Sequence, residues 1–507
     1  MTDAGAVYRY HDGTKHHFHR FARSLGYLDW ASQPSPFRSY VGAPEVRLQA
    51  DTTTVADILR HSLGLSAWKQ YERSRWSLRV NPSSGNLHPT EAYVIAAAGV
   101  FHYAPDRHAL EQRCALELPW PDDAFLVALT SIHWREAWKY GERAFRYCQH
   151  DLGHAIAAVA IAASNAGLQA RLLPEWSHAD VAAITGVDRD EDFVEAEREE
   201  PGCIIAIGRQ AGVGPAGVVQ AFRPAGPWSG HASQLSEDHV EWTFIDEIAE
   251  ATRWDARPST LRRAQGSGRA ATQRYARSLI LQRRSALALD GQSSIALDRF
   301  LEILSHTIPS DRPPWSALWW DARIHLALFV HRVDGLEPGL YLIVRNDAAL
   351  ERLRSAVKRD FLWTRVTAEL PLFALALGDC RRLAGRVSCD QEIAADGFFS
   401  LGMIADFDAA LQQHGPAFYR QLFWESGLVG HVLYLEAERA GARGTGIGCF
   451  YDDPVHDVLG LTGHAFQSLY HFTIGMPVED ARLITESGYA WERAARTEER
   501  PPHPAVD

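Results

Sequence analysis

The segment Arg79-Val80-Asn81-Pro82-Ser83-Ser84-Gly85-Asn86-Leu87-His88-Pro89-Thr90-Glu91 gathers polar groups that packing does not explain. Asn-Pro biases the chain out of the helical region, and Ser-Ser-Gly-Asn supplies small side chains and a permissive glycine. His-Pro then ends the irregular stretch before the strand-like Tyr93–Ala97. Two hydroxyls, an amide and unobstructed backbone N–H groups suit a flat ligand with polar edges, such as a heterocyclic ring. An ordinary surface turn is made from the same residue types, so the loop needs partners elsewhere in the chain.

Other chemistry-bearing residues narrow the choice. His11, His16, His17 and His19 sit in an opening predicted to be irregular, at spacings poor for a shared metal and with no cysteine or carboxylate cluster beside them, so no metal is assigned. The six cysteines, at 114, 148, 203, 380, 389 and 449, form no Cys-x-x-Cys pair, which fits a reduced, cytoplasmic protein. Asp452-Asp453, followed by Pro454, is expected to start a helix rather than act as an acid–base pair. A formal net charge of -12, from 63 acidic and 51 basic residues, argues against nucleic acid or an anionic membrane as the main partner. The opening has no apolar signal segment, and the apolar run 155–163 is too short to span a bilayer. Sixteen Trp and sixteen Tyr suit walls around an aromatic ligand, and suit interdomain packing equally.

The elements that must position these groups can be read in outline. Thr52–Leu63 is predicted to be a helix capped by Asp51 or Thr52, with Gly64 just past its end. Arg143–Ala166 is predicted to be a long helix, buried because Ala, Ile and Val occupy all its sides, and stopped by Gly167. Cys203–Gly208 reads as a short buried strand. From Gly208 to about Gly230 the chain turns to Gly, Pro, Ala and Val without periodicity, and 257–273 is rich in Arg, Gln and Ser. The second half then repeats the first: Phe145-Arg146, Asp151, Gly153, Ala163 and Gly167 recur at one offset as Tyr419-Arg420, Glu425, Gly427, Ala437 and Gly441. A repeat of roughly 270 residues implies two copies of one domain. The expected division is residues 1–210, a linker or arm at 211–273, and 274–507, each copy an α+β sandwich.

The loop, read with three other strings, resembles the nitroreductase-like FMN oxidoreductases, and among them the SagB/ThcOx branch, whose studied members oxidise thiazolines and oxazolines to azoles in ribosomal peptides. The strings are Pro82-Ser83-Ser84-x-Asn86 with its His-Pro, Tyr10–His16, Gly444–Phe450, and Gly475–Arg482. They stand in the family's order at both ends of the chain. The resemblance implies two nitroreductase-like domains in tandem, forming an intramolecular pseudo-dimer with FMN at the interface.

By that resemblance Arg283, Arg284 and Ser285 form the phosphate element, Arg482 is the C-terminal phosphate arginine, and Thr445, Gly446, Ile447 and Gly448 belong to the glycine loop. Pro82, Ser83, Ser84 and Asn86 come from the first half as the flavin-edge lip. Arginine offers planar donors matched to phosphate oxygens, and glycine lets backbone N–H groups approach a ring. Leu287 stands where the family often has a second basic residue. Lys139-Tyr140 falls where azoline oxidases carry a Lys-Tyr pair, so Tyr140, with its pKa lowered by Lys139, is the expected base, and Trp68-Lys69-Gln70-Tyr71 is a competing pair.

The opposite slot looks broken. The counterpart of Pro82–Asn86 is about Ala317-Leu318-Trp319-Trp320-Asp321, and that of the glycine loop is Ala170-Arg171-Leu172-Leu173-Pro174. Trp319 or Trp320 is expected to fill the space of a second ring. The resemblance thus implies an FMN-dependent oxidoreductase that dehydrogenates a small or peptide-borne heterocycle, azoline to azole, by hydride transfer to flavin N5. Oxygen or another acceptor would reoxidise the flavin, within a peptide-modifying complex. An NAD(P)H-dependent nitroaromatic or quinone reductase is the second reading, and a binding or scaffold subunit with decayed catalysis is the third.

Overall fold

The computed structural model describes residues 4–49, 53–115, 124–209, 227–255 and 274–491. Each half builds a seven-stranded antiparallel sheet, and the strand order repeats. In the first half it runs Glu45–Arg47, Ala109–Cys114, Gly99–Ala104, Thr90–Ala96, Phe125–Ser131, Glu200–Gly208, Gln169–Leu172. In the second it runs Thr364–Arg365, Leu372–Leu377, Gly339–Ile343, Ile324–Val330, Phe399–Asp406, Phe466–Gly475, Arg443–Ile447. Only the first strand of each order differs in origin, since Glu45–Arg47 precedes the rest of its sheet in the chain.

The central strands are buried on both faces, which is why they read as continuous apolar runs rather than alternating ones. Ala92 and Val94 join the core shared by the two halves, whereas Tyr93 and Ile95 join a separate outer core of the first half. Leu326 and Leu328 face the shared core in the second half, and Ala327 and Phe329 face its outer one. Two long helices, Ala144–Asn165 and Tyr419–Arg439, fill the shared layer. Each ends before a left-handed glycine, Gly167 at φ 80° and Gly441 at φ 75°. The helices cross where Gly153 meets Gly427. A Cβ on Gly153 would overlap the Trp424 carbonyl oxygen, and one on Gly427 would overlap that of His150. Only glycine permits this approach.

Elements exchanged between the halves tie the dimer-like unit together. The His-rich opening forms a helix, Ala4–Gly13, where an irregular arm is predicted, and its His11 sits between Tyr419 and Gln467 of the second half. Within the expected linker, Thr243–Ala251 is also a helix and is the counterpart of the opening one. Arg146 bonds Thr14 Oγ1 and the His11 carbonyl, as Arg420 bonds Thr252 Oγ1 and the Ala249 carbonyl. The second copy therefore has an element well before Arg274. Residues 210–226 and 256–273, expected as linker, lie outside the described residues, as do Asp51 and Thr52. The cap of helix Thr54–Arg60 is Thr53, whose hydroxyl accepts the Ala56 N–H and contributes about 1 kcal/mol.

Near its end the chain crosses back. Ile484–Ser487 adds to the hairpin formed by Leu65–Tyr71 and Ser74–Arg79 in the first half. Tyr489 then anchors it, accepting from the Leu65 N–H and donating to the Pro105 carbonyl. Among the described residues no helix is long and apolar enough to cross a membrane.

Candidate functional site

A cavity of about 470 Å³ lies between the halves, and three differently built walls meet in it. One wall is the loop 81–86 with His88. Helix Ala144–Asn165 lies behind it, and Asp151 accepts both the Ser84 N–H and the Ser84 hydroxyl at 3.1 Å. Ser83 Oγ accepts the His88 N–H at 2.7 Å. Asn86 donates to the Ser77 carbonyl and faces His88 Nε2 at 3.0 Å. Gly85, Asn86 and His88 all adopt positive φ, and a Cβ on Gly85 would stand 2.6 Å from Tyr140 Oη. The side-chain polar groups expected to face a ligand are thus engaged in shaping the loop.

The acid groups behind that wall are unusual. Burial pushes Asp151 up to about 7, although hydrogen bonds from Ser83 and Ser84 pull the other way. Glu136 is fully buried with neither carboxyl oxygen hydrogen-bonded, and burial together with the Asp151 charge holds it well above the usual carboxylate range. Desolvation without a cation favours the protonated form. Tyr140 lies in the cleft, edge-on to Tyr147 at 4.5 Å. Burial, then Glu136 and Tyr147, raise its phenol well above the ordinary value. The shift is thus opposite to the expected lowering, although Lys139, whose side chain is exposed, stands 5.3 Å from the Tyr140 ring centre with its Nζ, like Tyr140 Oη, close to Gly85. Tyr140 is a protonated donor at neutral pH, not a ready base.

The second wall is cationic. Arg283 is buried and its guanidinium donates to the carbonyls of Arg79 and Val80, joining the Arg283–Ser285 segment of the second half to the chain just before the loop of the first. Arg284 donates to the carbonyls of Leu281, Arg283 and Ser66. Burial and the neighbouring Arg283 lower Arg284 to about 10. Lys69 also lines the cleft, and its pKa is lowered by burial and by Arg284. Among the described residues the side chains of these three form no salt bridge, although the Arg284 backbone N–H donates to Glu438 at 3.1 Å and the Glu438 charge acts on both arginines. Arg443 completes the group, paired with Glu438 and Glu479. Cations crowded together at such a depth are relieved by a bound anion.

The third wall is the strand Arg443–Ile447 with Gly448. Thr445 Oγ1 donates to the Ala286 carbonyl at 2.6 Å, the Gly446 N–H donates to Tyr434 Oη at 2.8 Å, and Ser285 Oγ lies 3.0 Å from the same phenol. A Cβ on Gly446 would overlap Tyr470 Oη, and one on Gly448 would overlap the Tyr147 ring. These glycines make room for the tyrosines that floor the cleft. Ile447 is buried beside them, and Leu287 lines the rim and is 77% exposed.

The structure thus brings Pro82, Ser83, Ser84, Asn86, Arg283, Arg284, Ser285, Thr445, Gly446, Ile447, Gly448 and Tyr140 to one cleft. It does not bring Arg482, which is exposed, pairs with Asp480 and lies over the Tyr71 ring. Lys69 and Arg443 supply the additional charge instead. Lys69 is in the Trp68–Tyr71 string, and Arg443 directly precedes the glycine run, so both had a weak signal. Tyr434 and Tyr470 had none, because they read as core aromatics.

At the opposite position the cleft is closed. Strand Gln169–Leu172 packs against the turn Trp315–Ala317. Trp319 sits among Trp254, Trp320, His414 and Phe418, at centroid distances of 5.2 to 5.9 Å. Trp320 Nε1 donates to Glu425, the counterpart of Asp151. A cavity of about 1110 Å³ borders this plug on the second-half side, lined by Trp320, Asp321 and Glu425 and by further acidic residues that outnumber its arginines, Arg345, Arg365 and Arg439. The excess of carboxylates over arginines disfavours a phosphate there.

The first cleft fits a flavin mononucleotide: a cationic end in which Lys69, Arg283 and Arg284 form no side-chain salt bridge among the described residues, a small-residue lip, a glycine strand and an aromatic floor, in a volume within the usual range for a cofactor. No protein-family model matches the chain. No curated protein matches it either. Among solved structures, a putative nitroreductase from Anabaena variabilis ATCC 29413 has a TM-score of 0.70 at 20% identity, over 93% of this chain and 99% of that one. A putative nitroreductase from Ralstonia eutropha JMP134 covers 44% of this chain and 93% of its own at 16% identity, with a TM-score of 0.30. The E. coli microcin synthetase McbBCD complex with truncated pro-MccB17 bound covers 49% and 85% at 16% identity, also with a TM-score of 0.30. The likeness to the Anabaena protein, end to end in both chains, is one of fold: this chain folds as two nitroreductase-like α+β sandwich domains in tandem, closed on each other as an intramolecular pseudo-dimer.

Proposed function

We propose that the protein is an FMN-dependent oxidoreductase with one composite cofactor site, acting as a dehydrogenase on a small or peptide-borne azoline within a peptide-modifying complex. One observation carries the reading. The cations of the second half and the lip of the first converge on a single cleft, joined by Arg283 on the Arg79 and Val80 carbonyls. Bound FMN supplies two-electron exchange with the substrate. Lys69, Arg283, Arg284 and Arg443 would neutralise its phosphate, while the lip at 82–86 and the strand at 444–448 would flank its ring system. Tyr434, Tyr470 and Tyr147 provide aromatic surface, and Asp151 keeps the Ser84 N–H and hydroxyl fixed.

Tyr140 favours a second reading. A phenol held protonated suits giving a proton at Oη to a substrate being reduced, as a nitroaromatic or quinone reductase fed by NAD(P)H requires. Anaerobic mixing separates the two. Bleaching of the flavin absorbance by an azoline peptide, with little by NADH or NADPH, is the expected result. Rapid bleaching by NAD(P)H and none by azolines would replace the first reading with the second. Protein that stays colourless after FMN is added would support the scaffold reading and overturn both.

A further inference from the structure

Three segments distant in sequence meet at the edge of the cleft. His16 follows the opening helix, Cys389 follows helix Arg381–Val387, and Cys449 follows Gly448. Cys389 Sγ lies 2.8 Å from Cys449 Sγ, and Cys449 Sγ lies 3.6 Å from His16 Nδ1. The absence of any Cys-x-x-Cys spacing hid this group from the sequence. The other four cysteines are buried, whereas this pair is partly exposed, and Cys449 lines the cleft itself. Cys389 and Asp390 both hold φ at 56°, a region that non-glycine residues rarely occupy and that functional sites often retain.

We propose that Cys389 and Cys449 form a reversible dithiol–disulfide site that exchanges with low-molecular-weight disulfides, with His16 as its proton partner. The chemistry balances without a flavin. Cys449 thiolate attacks one sulfur of an external disulfide, the S–S bond breaks, and one thiolate leaves and takes a proton. Cys389 then gives its proton to His16 or solvent, attacks the Cys449 sulfur and expels the second thiolate. The pair is oxidised by two electrons and the external disulfide becomes two thiols.

The surroundings match the two roles. Cys449 is lowered to about 5 by the hydrogen bond from Cys389, against its burial, and by His16 and Arg143. Arg143 is buried, donates to the Gly448 carbonyl and lies over the Phe450 ring. The two sulfurs share one hydrogen bond, and Cys449, which lines the cleft and lies beside His16, is the accessible attacking sulfur, with Cys389 behind it to resolve. The Cys449 carbonyl is held by Gln391, and the next residues back are the cleft glycines, so closing the bond reaches the flavin pocket through the shortest possible stretch of chain.

The test uses full-length protein incubated with oxidised glutathione, alkylated and mapped by mass spectrometry. The expected result is loss of two alkylatable thiols, with peptides of Cys389 and Cys449 joined, and full recovery with dithiothreitol. Cys389→Ser should stop the sequence midway and leave one glutathione on Cys449; this variant keeps the attacking sulfur and a hydroxyl in place of the resolving one. Two outcomes overturn the proposal. Either both cysteines remain alkylatable in the wild-type protein after glutathione disulfide, or one equivalent of zinc is released by a thiol reagent from protein whose pair was protected, which makes the cluster a Cys-Cys-His metal site instead. Neither outcome bears on whether FMN binds.

Discussion

Asp151 and Glu425 hold the same place on the two long helices, and what each one grips separates an open cleft from a closed one. Asp151 holds Ser84, a residue too small to fill the space in front of it. Glu425 holds the Trp320 indole and the backbone N–H groups of Arg323 and Ile324, and is neutralised by Arg345 at 2.5 Å. One carboxyl fixes a lip and the other fixes a plug. The difference appears as charge: among the described residues Asp151 has no salt bridge and is pushed up to about 7 by burial, whereas Glu425 is paired with the buried Arg345. The repeat sets two equivalent positions, and the change of grip leaves one lined by small residues and the other by indoles.

The largest effect should come from the plug. Trp320→Ala removes a buried indole and should cost about 3–5 kcal/mol of stability, seen as a lower midpoint in urea, with FMN stoichiometry unchanged. A second bound FMN in this variant would mean that the indoles alone close the second slot. Next, Tyr140→Phe should slow any reduction of a nitroaromatic or quinone by about 100-fold while leaving FMN affinity and azoline oxidation within error, because only a proton donor is lost. Arg284→Gln should weaken FMN binding by about 1.5–3 kcal/mol, roughly 10- to 100-fold in Kd.

A pH series probes the lip. Asp151 is raised in the folded state, so between its unfolded and folded values the folded protein binds more protons. Stability then falls as pH rises, by about 1 kcal/mol per unit from roughly pH 5 to pH 7. Asp151→Asn should flatten that slope while still accepting from Ser84; an unchanged slope would place the titration elsewhere. The smallest effect belongs to Arg482→Ala, within about 0.5 kcal/mol in stability and without change in FMN affinity, since its guanidinium is exposed on Asp480.

The repeat was legible because helix-ending glycines and apolar helices leave local traces: Gly167 and Gly441 stand at one offset and close the same helix twice. The lip was legible for the same reason, since Asn-Pro and Ser-Gly-Asn dictate a turn wherever it lies. What the turn does with its polar groups was not, because Ser84 meets Asp151 only through packing against the long helix. The crossing glycines 153 and 427 were visible as repeated residues, but the partner carbonyls that forbid a side chain there come from the other half. Lys139 and Tyr140 looked coupled as neighbours in sequence, and both side chains do reach Gly85, yet the phenol takes its character from burial and Glu136. His16, Cys389 and Cys449 lie on separate segments, which local spacing could not join.

A direct titration of FMN into apoprotein of known concentration, followed by flavin fluorescence quenching or calorimetry, bears most directly on the single composite cleft. One FMN per chain is the expected endpoint. Two per chain would show that the indole-filled position is also a cofactor site, and would contradict the division of labour between the halves.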